Sequence, residues 1–267
     1  MRTDTFEHPV FGTVSLANGW VPAPGYALRR DRILALLRGL PRGRLLEVGC
    51  GAGALTRDLS TAGFECTGLE LGEAAREVAR KICADRPNVE IHGSWSDAWQ
   101  GAFDYVAAFE VLEHIDDHES TARQWAGWLK PTGKLLISVP AHPSHWDASD
   151  VWAGHFRRYT RESLKQVLEQ AGLAIEYLET WGFPLANAIA PVRALANARR
   201  LRERGEAASD KHHGSVNSGI ERGIEARLFP LQASWLGVKM MLACFGIQKA
   251  FSTTELGTGY LAVASRR

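Results

Sequence analysis

The sequence predicts an α/β fold, a three-layer sandwich in which helices cover both faces of a mostly parallel sheet. Two observations carry this prediction. Strand-like and helix-like segments alternate from about residue 44 to residue 180, which is typical of a parallel sheet. In addition, the largely apolar run 45–48 ends in a turn with glycines at 49, 51 and 53, as strands do where a ligand approaches the backbone closely.

Each element follows from its local pattern. We expect strands at 44–49, 64–69, 89–92, 103–109, 134–139, 173–180 and 260–265. We expect helices at 26–40, from about 53, and at 73–85, 118–130 and 160–170. Pro131-Thr132-Gly133 is a stop-and-turn signal after the fourth of these helices. Thr160 is a natural N-cap with Ser163 in the first turn, and Gly172 ends the last helix.

The composition is that of an ordinary globular chain, and its length fits one elaborated domain. The 267 residues are 45% hydrophobic and 23% charged, with a net charge of +1, which gives no general attraction to nucleic acid. The four cysteines lack C-x-x-C spacing, so reduced thiols and a cytoplasmic location are expected. Residues 1–10 do not resemble a secretory signal, and we find no run of 18 apolar residues that predicts a transmembrane helix.

The glycine turn, residues 49–53, is preceded by a carboxylate. Glu47 lies two residues before Gly49, where it would repel a pyrophosphate but attract an ammonium group. Glu70 ends the next predicted strand, 21 residues after Gly49, a spacing typical of acids that accept ribose hydroxyls. Gly49-x-Gly51-x-x-Ala54 also matches the dinucleotide pattern, so an NAD-dependent oxidoreductase is the alternative, disfavoured by Glu47.

A second signature follows the fourth predicted strand. The strand 103–106 leads into Glu110-Val111-Leu112-Glu113-His114-Ile115, and Leu129-Lys130-Pro131-x-Gly133-x-Leu135 comes later. Together with E-x-G-x-G-x-G, these motifs resemble the class I S-adenosylmethionine-dependent methyltransferases, in particular the branch of the ubiquinone-biosynthesis O-methyltransferases. The resemblance covers about residues 44–172.

This resemblance implies a Rossmann-like fold with seven strands, the last of them antiparallel, and a methyltransferase (EC 2.1.1.-) that uses S-adenosyl-L-methionine and releases S-adenosyl-L-homocysteine. It implies that Glu47 binds the ammonium group of the donor and that Glu70 binds its ribose. Arg29 is expected to pair with the methionine carboxylate, and Trp95 to pack on the adenine, with core packing as the alternative for Trp95. The remaining expected cofactor contacts are Gly49, Cys50, Gly51, Gly53, Leu71, Ser94, Glu110 and Val111.

Two histidines are candidates for catalysis. A neutral imidazole of His114 or His155 suits removal of a proton from an acceptor hydroxyl, and the alternative for His114 is a structural role. No metal is the first expectation, although Glu110, Glu113 and His114 are ligand types that a divalent ion would accept. The segment 154–159 precedes a capped helix, and Tyr159 and Trp181 are predicted to contact the acceptor.

The chain divides into three predicted parts. Residues 1–43 form an N-terminal lid segment, 44–181 with 252–267 form the cofactor-binding core, and 182–251 form a helical insertion that shapes the substrate site. The insertion has a basic run at 199–204, a polar loop at 209–219 with His212 and His213, and an apolar stretch at 228–247. Its apolar stretch is interpreted as a pocket wall, a homodimer face, a peripheral membrane contact or ordinary core. His212 and His213 are interpreted as loop residues, not metal ligands.

The expected activity is transfer of a methyl group to a small lipophilic or aromatic acceptor, most readily at a hydroxyl oxygen, within small-molecule biosynthesis. The alternatives are a methyltransferase-like binding protein without catalysis and an N- or C-methyltransferase. A nucleic-acid methyltransferase is disfavoured by the net charge of +1 and by the absence of Asn/Asp-Pro-Pro-Tyr after the fourth strand.

Overall fold

The computed structural model describes residues 5–204 and 223–267. The predicted loop 209–219, with His212 and His213, therefore lies outside the described residues, as do residues 1–4 of the N-terminal segment. The chain begins with a hairpin of β1 (Thr5–His8) and β2 (Gly12–Ser15), followed by α1 (Pro24–Leu37). This hairpin was not predicted, because contacts distant in sequence hold it: Thr13 donates its backbone N–H and its hydroxyl to Asp58 Oδ1.

The core then alternates strands and helices, as the sequence predicts. Its elements are β3 (Arg44–Val48), α2 (Ala54–Thr61), β4 (Glu65–Leu69), α3 (Glu73–Ile82), β5 (Val89–His92), β6 (Phe103–Phe109), α4 (His118–Trp128), β7 (Leu129–Pro140), α5 (Ala148–Ala153), α6 (Arg161–Gln170), β8 (Leu173–Trp181), α7 (Leu185–Arg204), α8 (Gly223–Gln232), α9 (Trp235–Phe251) and β9 (Gly259–Arg266).

The seven core strands form one sheet in the order β5-β4-β3-β6-β7-β9-β8. Pairing is parallel from β5 to β7, and β9 runs antiparallel to both β7 and β8. The predicted fold is therefore confirmed. The strand order reverses between β3 and β6, and in such sheets a crevice for ligands opens at the carboxyl ends of those two strands.

Residues 131–133 were predicted to form a turn between a helix and a strand, but they lie within β7. The helix ends at Trp128, and β7 begins at once with Leu129. Phe103 pairs with Leu129 but Tyr105 pairs with Lys134, so residues 130–133 form a bulge within β7 and not a connection before it. A bulge leaves residues unpaired, which is why a proline is tolerated there. The N-cap at Thr160 is as predicted, since its hydroxyl accepts the N–H of Ser163.

Buried side chains lie on both faces of the sheet. One face packs against α4 and α6 through Trp125, Leu164 and Leu168. The other packs against α1 and α2, and Phe229 of α8 and Met241 of α9 join this cluster. Helices α7, α8 and α9 follow β8 and precede β9 in the chain, and they pack beside α1.

Among the described residues, no helix is by itself long and apolar enough to span a membrane. Helices α8 and α9 reach that length and composition only as a pair, and the pair bends by 90° between Gln232 and Trp235.

Candidate active site

The glycine turn between β3 and α2 has the backbone that its glycines allow. Gly49 has φ +66°, and a Cβ there would lie 2.7 Å from Cγ2 of Val111. Gly51 has φ +54°, and a Cβ there would meet no atom within 4 Å. The first glycine thus permits close packing against the residues after β6, whereas the second faces open space. Such an uncovered turn can take a ligand against its backbone.

Glu70 is held at the end of β4 by backbone donors. Its Oε2 accepts the N–H of Gly51 at 2.9 Å, and its Oε1 accepts the N–H of Gly72 at 2.8 Å. Because one of these donors belongs to the glycine turn, the carboxylate is fixed beside it. Leu71, the next residue, is exposed. This geometry supports the predicted ribose contact.

Glu47 lies at the inner side of the same turn. Its side chain is only 4% exposed, and its Oε2 accepts the hydroxyl of Thr56 at 2.5 Å. Burial raises the pKa of Glu47 to about 8, against the opposing effects of the Thr56 hydrogen bond and of Arg29. The side chain is therefore mostly protonated at neutral pH, and a cation placed against it would draw the proton off.

Three buried polar atoms on α1 and at the end of β8 have no hydrogen-bond partner among the described residues. They are the hydroxyl of Tyr26, Nε of Arg29 and Nε1 of Trp181. The Arg29 guanidinium lies 5.5 Å from the centre of the Trp181 ring, and its Nη1 is 3.8 Å from Oε2 of Glu110. Buried groups of this kind normally have partners, so this wall of the crevice fits a polar ligand such as the amino-acid end of S-adenosylmethionine.

Glu110 follows β6 with an unusual backbone. It has φ +58°, a conformation that non-glycine residues rarely adopt. Ser138 donates its hydroxyl to Oε1 of Glu110 at 2.9 Å. Strain at a ligand crevice is commonly tied to function, and here the left-handed turn directs the chain from the strand into the segment that carries Glu113 and His114.

The side chains that are predicted to contact the adenine are exposed to solvent. Trp95 is 50% exposed and Ser94 is exposed, so the alternative of core packing for Trp95 is wrong. Ser96 is used locally, since its hydroxyl accepts the N–H of Ala98. Contact of Ser94 and Trp95 with the adenine stays a prediction.

Glu113, His114 and His155 form what we call the acceptor cluster. Oε1 of Glu113 lies 4.0 Å from Nε2 of His114 and 3.9 Å from Nε2 of His155. The two imidazole rings meet edge to face, with centres 4.7 Å apart. The backbone N–H of Phe156 donates to the carbonyl of Glu113 at 2.8 Å, which ties the loop of His155 to the segment after β6. The two predicted catalytic histidines are thus brought together.

Glu113 is fully buried, and neither of its carboxyl oxygens has a hydrogen-bond partner among the described residues. Burial raises its pKa well above the usual value, and the charge of Glu110 adds to this. Burial also lowers the pKa of His114 to about 4, with His155 as the second cause. His114 is therefore uncharged at neutral pH, and burial favours the neutral form of Glu113.

Asp150 on α5 is a functional candidate that the sequence did not reveal. It is almost fully buried, and His155 donates its Nδ1–H to Oδ1 of Asp150 at 2.8 Å. Arg158 donates to the same carboxylate through Nε and Nη2. Burial opposes ionisation, but the hydrogen bonds from His155 and Arg158 outweigh it and lower the pKa of Asp150 to about 2. This carboxylate fixes the tautomer of His155 and leaves its Nε2 lone pair free.

The cation-binding alternative needs a correction. The expected set was Glu110, Glu113 and His114, but Glu110 is directed to Ser138 and Arg29. Among the described residues, the group that offers ligand atoms within 4.8 Å of one another is Glu113, His114 and His155. The unpartnered carboxyl of Glu113 and Nδ1 of His114 are consistent with a divalent ion of the type that imidazole and carboxylate accept.

Tyr159 also needs a correction. It was predicted to contact the acceptor, but its side chain is 1% exposed and its hydroxyl is hydrogen-bonded to Nδ1 of His118 at 2.9 Å. A ring within the core cannot touch a substrate, so Tyr159 has a packing role. Trp181 is buried but lies against Arg29, and its contact with the acceptor stays a prediction.

Comparison with known proteins identifies relatives of this chain. The chain is 31% identical over 152 residues to the ubiquinone biosynthesis O-methyltransferase of Alkalilimnicola ehrlichii, which covers 52% of this chain and 61% of the relative. It is 34% identical over 140 residues to the protein of that name from Sodalis glossinidius, covering 49% of this chain and 55% of the relative. The chain thus spans little more than half the length of these relatives.

Solved structures share the fold. Phosphoethanolamine N-methyltransferase 2 of Haemonchus contortus, in complex with S-adenosyl-L-methionine, superposes with a TM-score of 0.53 at 16% identity, covering 89% of this chain and 52% of that one. The YcgJ protein of Bacillus subtilis gives a TM-score of 0.52 at 16% identity, covering 68% and 87%.

The family model described as a methyltransferase domain matches residues 23–178, which is more than half of the 267 residues. This match removes the oxidoreductase alternative and confirms the resemblance seen in the sequence: the chain belongs to the methyltransferase-domain family.

Proposed function

We propose that this chain transfers the methyl group of S-adenosylmethionine to a hydroxyl oxygen of a small lipophilic or aromatic acceptor. One observation carries the choice of oxygen. His155 is hydrogen-bonded through Nδ1 to the ionised Asp150, which leaves Nε2 able to accept a proton beside Glu113. The names of the relatives, ubiquinone biosynthesis O-methyltransferases, support the same choice.

The donor is held, in this proposal, by the residues around the glycine turn. Glu47 binds the ammonium group, Arg29 turns from Glu110 to the methionine carboxylate, and Glu70 keeps one lone pair on each oxygen for a ribose hydroxyl. Bound S-adenosylmethionine supplies an electrophilic methyl group. The protein positions the acceptor in line with it and excludes water, and such orientation is worth roughly 7–11 kcal/mol at best.

His155 then serves as the proton acceptor. Its Nε2 takes the proton as the hydroxyl oxygen forms its bond to the methyl carbon and the methyl–sulfur bond breaks, which leaves S-adenosylhomocysteine. The resulting imidazolium is stabilised by the Asp150 carboxylate. A positioned base of this kind contributes about 10²–10⁴-fold. His114, with its pKa of about 4, is a poor proton acceptor at neutral pH, so we assign it a contact with the acceptor.

A bound divalent ion is the second candidate for activating the hydroxyl. The unpaired carboxyl of Glu113 favours it, and Glu113, His114 and His155 would hold the ion. The ion would act as a Lewis acid on the acceptor oxygen. The two candidates predict different responses to a chelator, which abolishes turnover only if the ion is needed.

The acceptor is proposed to be lipophilic because of where the insertion packs. Gln248 of α9 donates to the carbonyl of Leu28 at 3.0 Å and accepts the N–H of Gly182 at 3.2 Å. Leu28 adjoins Arg29, and Gly182 adjoins Trp181, so the apolar helix lies against both predicted walls of the crevice. This packing supports a substrate-shaping role for 182–251. A homodimer through the same segment remains an alternative partner.

A panel of acceptors tests the proposal. The purified chain is incubated with labelled S-adenosylmethionine and phenols, catechols and amines that carry alkyl tails of increasing length. We expect methylation of hydroxyl acceptors, with kcat/KM rising with tail length. Methylation of amines alone would instead indicate an N-methyltransferase. Donor binding by calorimetry without turnover of any acceptor would indicate a binding protein.

A further inference from the structure

We infer that α8 and α9 form a docking surface for a bilayer rich in anionic phospholipids, which holds the enzyme at the membrane that contains a lipophilic acceptor. The inference rests on the proposed function, because that function requires a lipophilic acceptor. We call this surface the outer apolar face and define it by Leu228, Leu231, Trp235, Leu236, Met240 and Ile247.

The outer apolar face exposes large side chains that soluble helices normally bury. Trp235 is 75% exposed, Leu231 72% and Leu236 67%. On α9 the residues 236, 240 and 247 share one side of the helix, because side chains three or four residues apart are neighbours. Scattered exposed leucines are ordinary, but a contiguous apolar patch marks an interaction site.

The outward direction of this face is fixed by contacts on the other side of the helices. Phe229 and Met241 are buried in the cluster with α1. Gln248 is buried and donates to the carbonyl of Leu28 and to Asp31, and Gln232 donates to the carbonyl of Pro22. Rotating α9 to hide its exposed stripe would break these buried hydrogen bonds. The exposed side chains are thus what the packed helices leave outside.

The charged residues on α8 and α9 favour an anionic membrane over a second copy of the chain as the partner of this face. Arg227, Lys239 and Lys249 are exposed, and the sequence of α9 contains no aspartate or glutamate. A second copy of the chain would bring the same cations against each other across a two-fold axis. Anionic headgroups complement them, and apolar side chains beside lysines are typical of helices that lie in the membrane interface.

The orientation of the helices suits contact along a membrane. The pair α8 and α9 bends by 90° at its break, so both apolar sides can rest in the headgroup region without crossing the bilayer. Helices of this kind sink by about 5–10 Å. Because the buried side of α9 reaches Leu28 and Gly182, next to Arg29 and Trp181, the docked face lies on the far side of the crevice wall.

Vesicle sedimentation of the full chain tests the inference. The probes are vesicles of phosphatidylcholine alone and vesicles that contain phosphatidylglycerol. We expect binding to the anionic vesicles, at least tenfold weaker binding to the neutral ones, and a similar tenfold loss for the triple variant Leu231→Gln, Trp235→Gln, Leu236→Gln. Leu16→Gln is the matched control, since Leu16 is 56% exposed but lies outside the face. Its binding should equal that of the wild type.

Two further measurements keep the outcome decisive. The triple variant should turn over a short-tailed, water-soluble acceptor at the wild-type rate. If the wild type itself does not turn over such an acceptor, the result contradicts the proposed function and not the docking surface. Equal vesicle binding by the wild type and the triple variant would overturn the docking surface. So would a wild-type dimer in sedimentation that the triple variant abolishes, since the face would then bind a second copy.

Discussion

Around the glycine turn the carboxylates already have partners within the protein, whereas the buried carboxyl of the acceptor cluster has none in the part of the chain that the structure describes. Glu70 accepts two backbone N–H groups and Glu47 accepts the Thr56 hydroxyl. Glu113 is as deeply buried as Glu47, but neither of its carboxyl oxygens has a hydrogen-bond partner among the described residues. Unpaired buried polar groups are costly. The carboxylates of the donor half are therefore held in place before a ligand arrives, whereas Glu113 in the acceptor half is the carboxyl that a ligand or ion must still pair.

The largest expected effect tests the acceptor half. We predict that His155→Ala lowers kcat by about 10²–10⁴-fold, because it removes the proposed proton acceptor, while donor affinity measured by calorimetry is unchanged. His145→Ala is the control, since His145 belongs to a short turn outside the cluster. Wild-type turnover in His155→Ala would exclude this residue as the base.

The next effect tests the donor half. Glu47→Ala is expected to weaken donor binding by about 1.5–3 kcal/mol, the range for a charged hydrogen bond, which is roughly 10–150-fold in Kd. Glu65→Ala, an exposed carboxylate at the opposite end of β4, should bind like the wild type. Unchanged affinity in Glu47→Ala would mean that another group holds the ammonium.

These two halves also differ in how far the sequence revealed them. Glu47, the glycines and Glu70 lie within 24 consecutive residues, and one strand, turn, helix and strand place them, so local pattern was sufficient. The acceptor cluster joins residue 113 to residue 155 through a loop contact between Phe156 and Glu113. Both histidines were predicted singly, but their meeting depends on tertiary packing that no local pattern contains.

Two residues show the same limit more sharply. Asp150 belongs to a capping box with Asp147, so its pattern alone indicates only the start of a helix, although its position five residues before His155 was a signal. Tyr159 has a polar ring in a loop next to the site, and that pattern fits either a ligand contact or a buried hydroxyl. The structure shows a buried ring whose hydroxyl is hydrogen-bonded to His118, 41 residues away in the chain.

Asp150 provides a test of positioning as distinct from chemistry. Asp150→Asn is expected to lower kcat roughly 10–100-fold, on the scale seen when the partner that orients a functional histidine is removed. Donor affinity measured by calorimetry should be unchanged, because Asp150 acts through His155 in the acceptor half. A variant that is merely loosened would lose donor affinity together with rate.

The matched control for Asp150→Asn is Asp147→Asn. Asp147 caps the same helix by accepting the N–H of Ser149, and asparagine caps helices about as well as aspartate. We expect near wild-type rates and unchanged donor affinity. If both variants lose rate equally, stability of α5 and not orientation of His155 explains the loss.

The smallest effect that we predict separates the two halves by their response to pH. The pKa of Glu47, about 8 in the folded chain without ligand, is raised above its unfolded value, so ionising it opposes folding and ligand binding must remove its proton. The ammonium group of the donor stays charged below about pH 7.7, the usual pKa of an α-amino group. Affinity should therefore rise about tenfold between pH 6 and pH 7, with release of about one proton when calorimetry is repeated in buffers of different ionisation enthalpy.

Glu47→Gln has no proton to lose, so its weaker affinity should not change with pH over this range. The same independence in the wild type would contradict the raised pKa of Glu47 and would show that this carboxylate is already ionised before the donor binds.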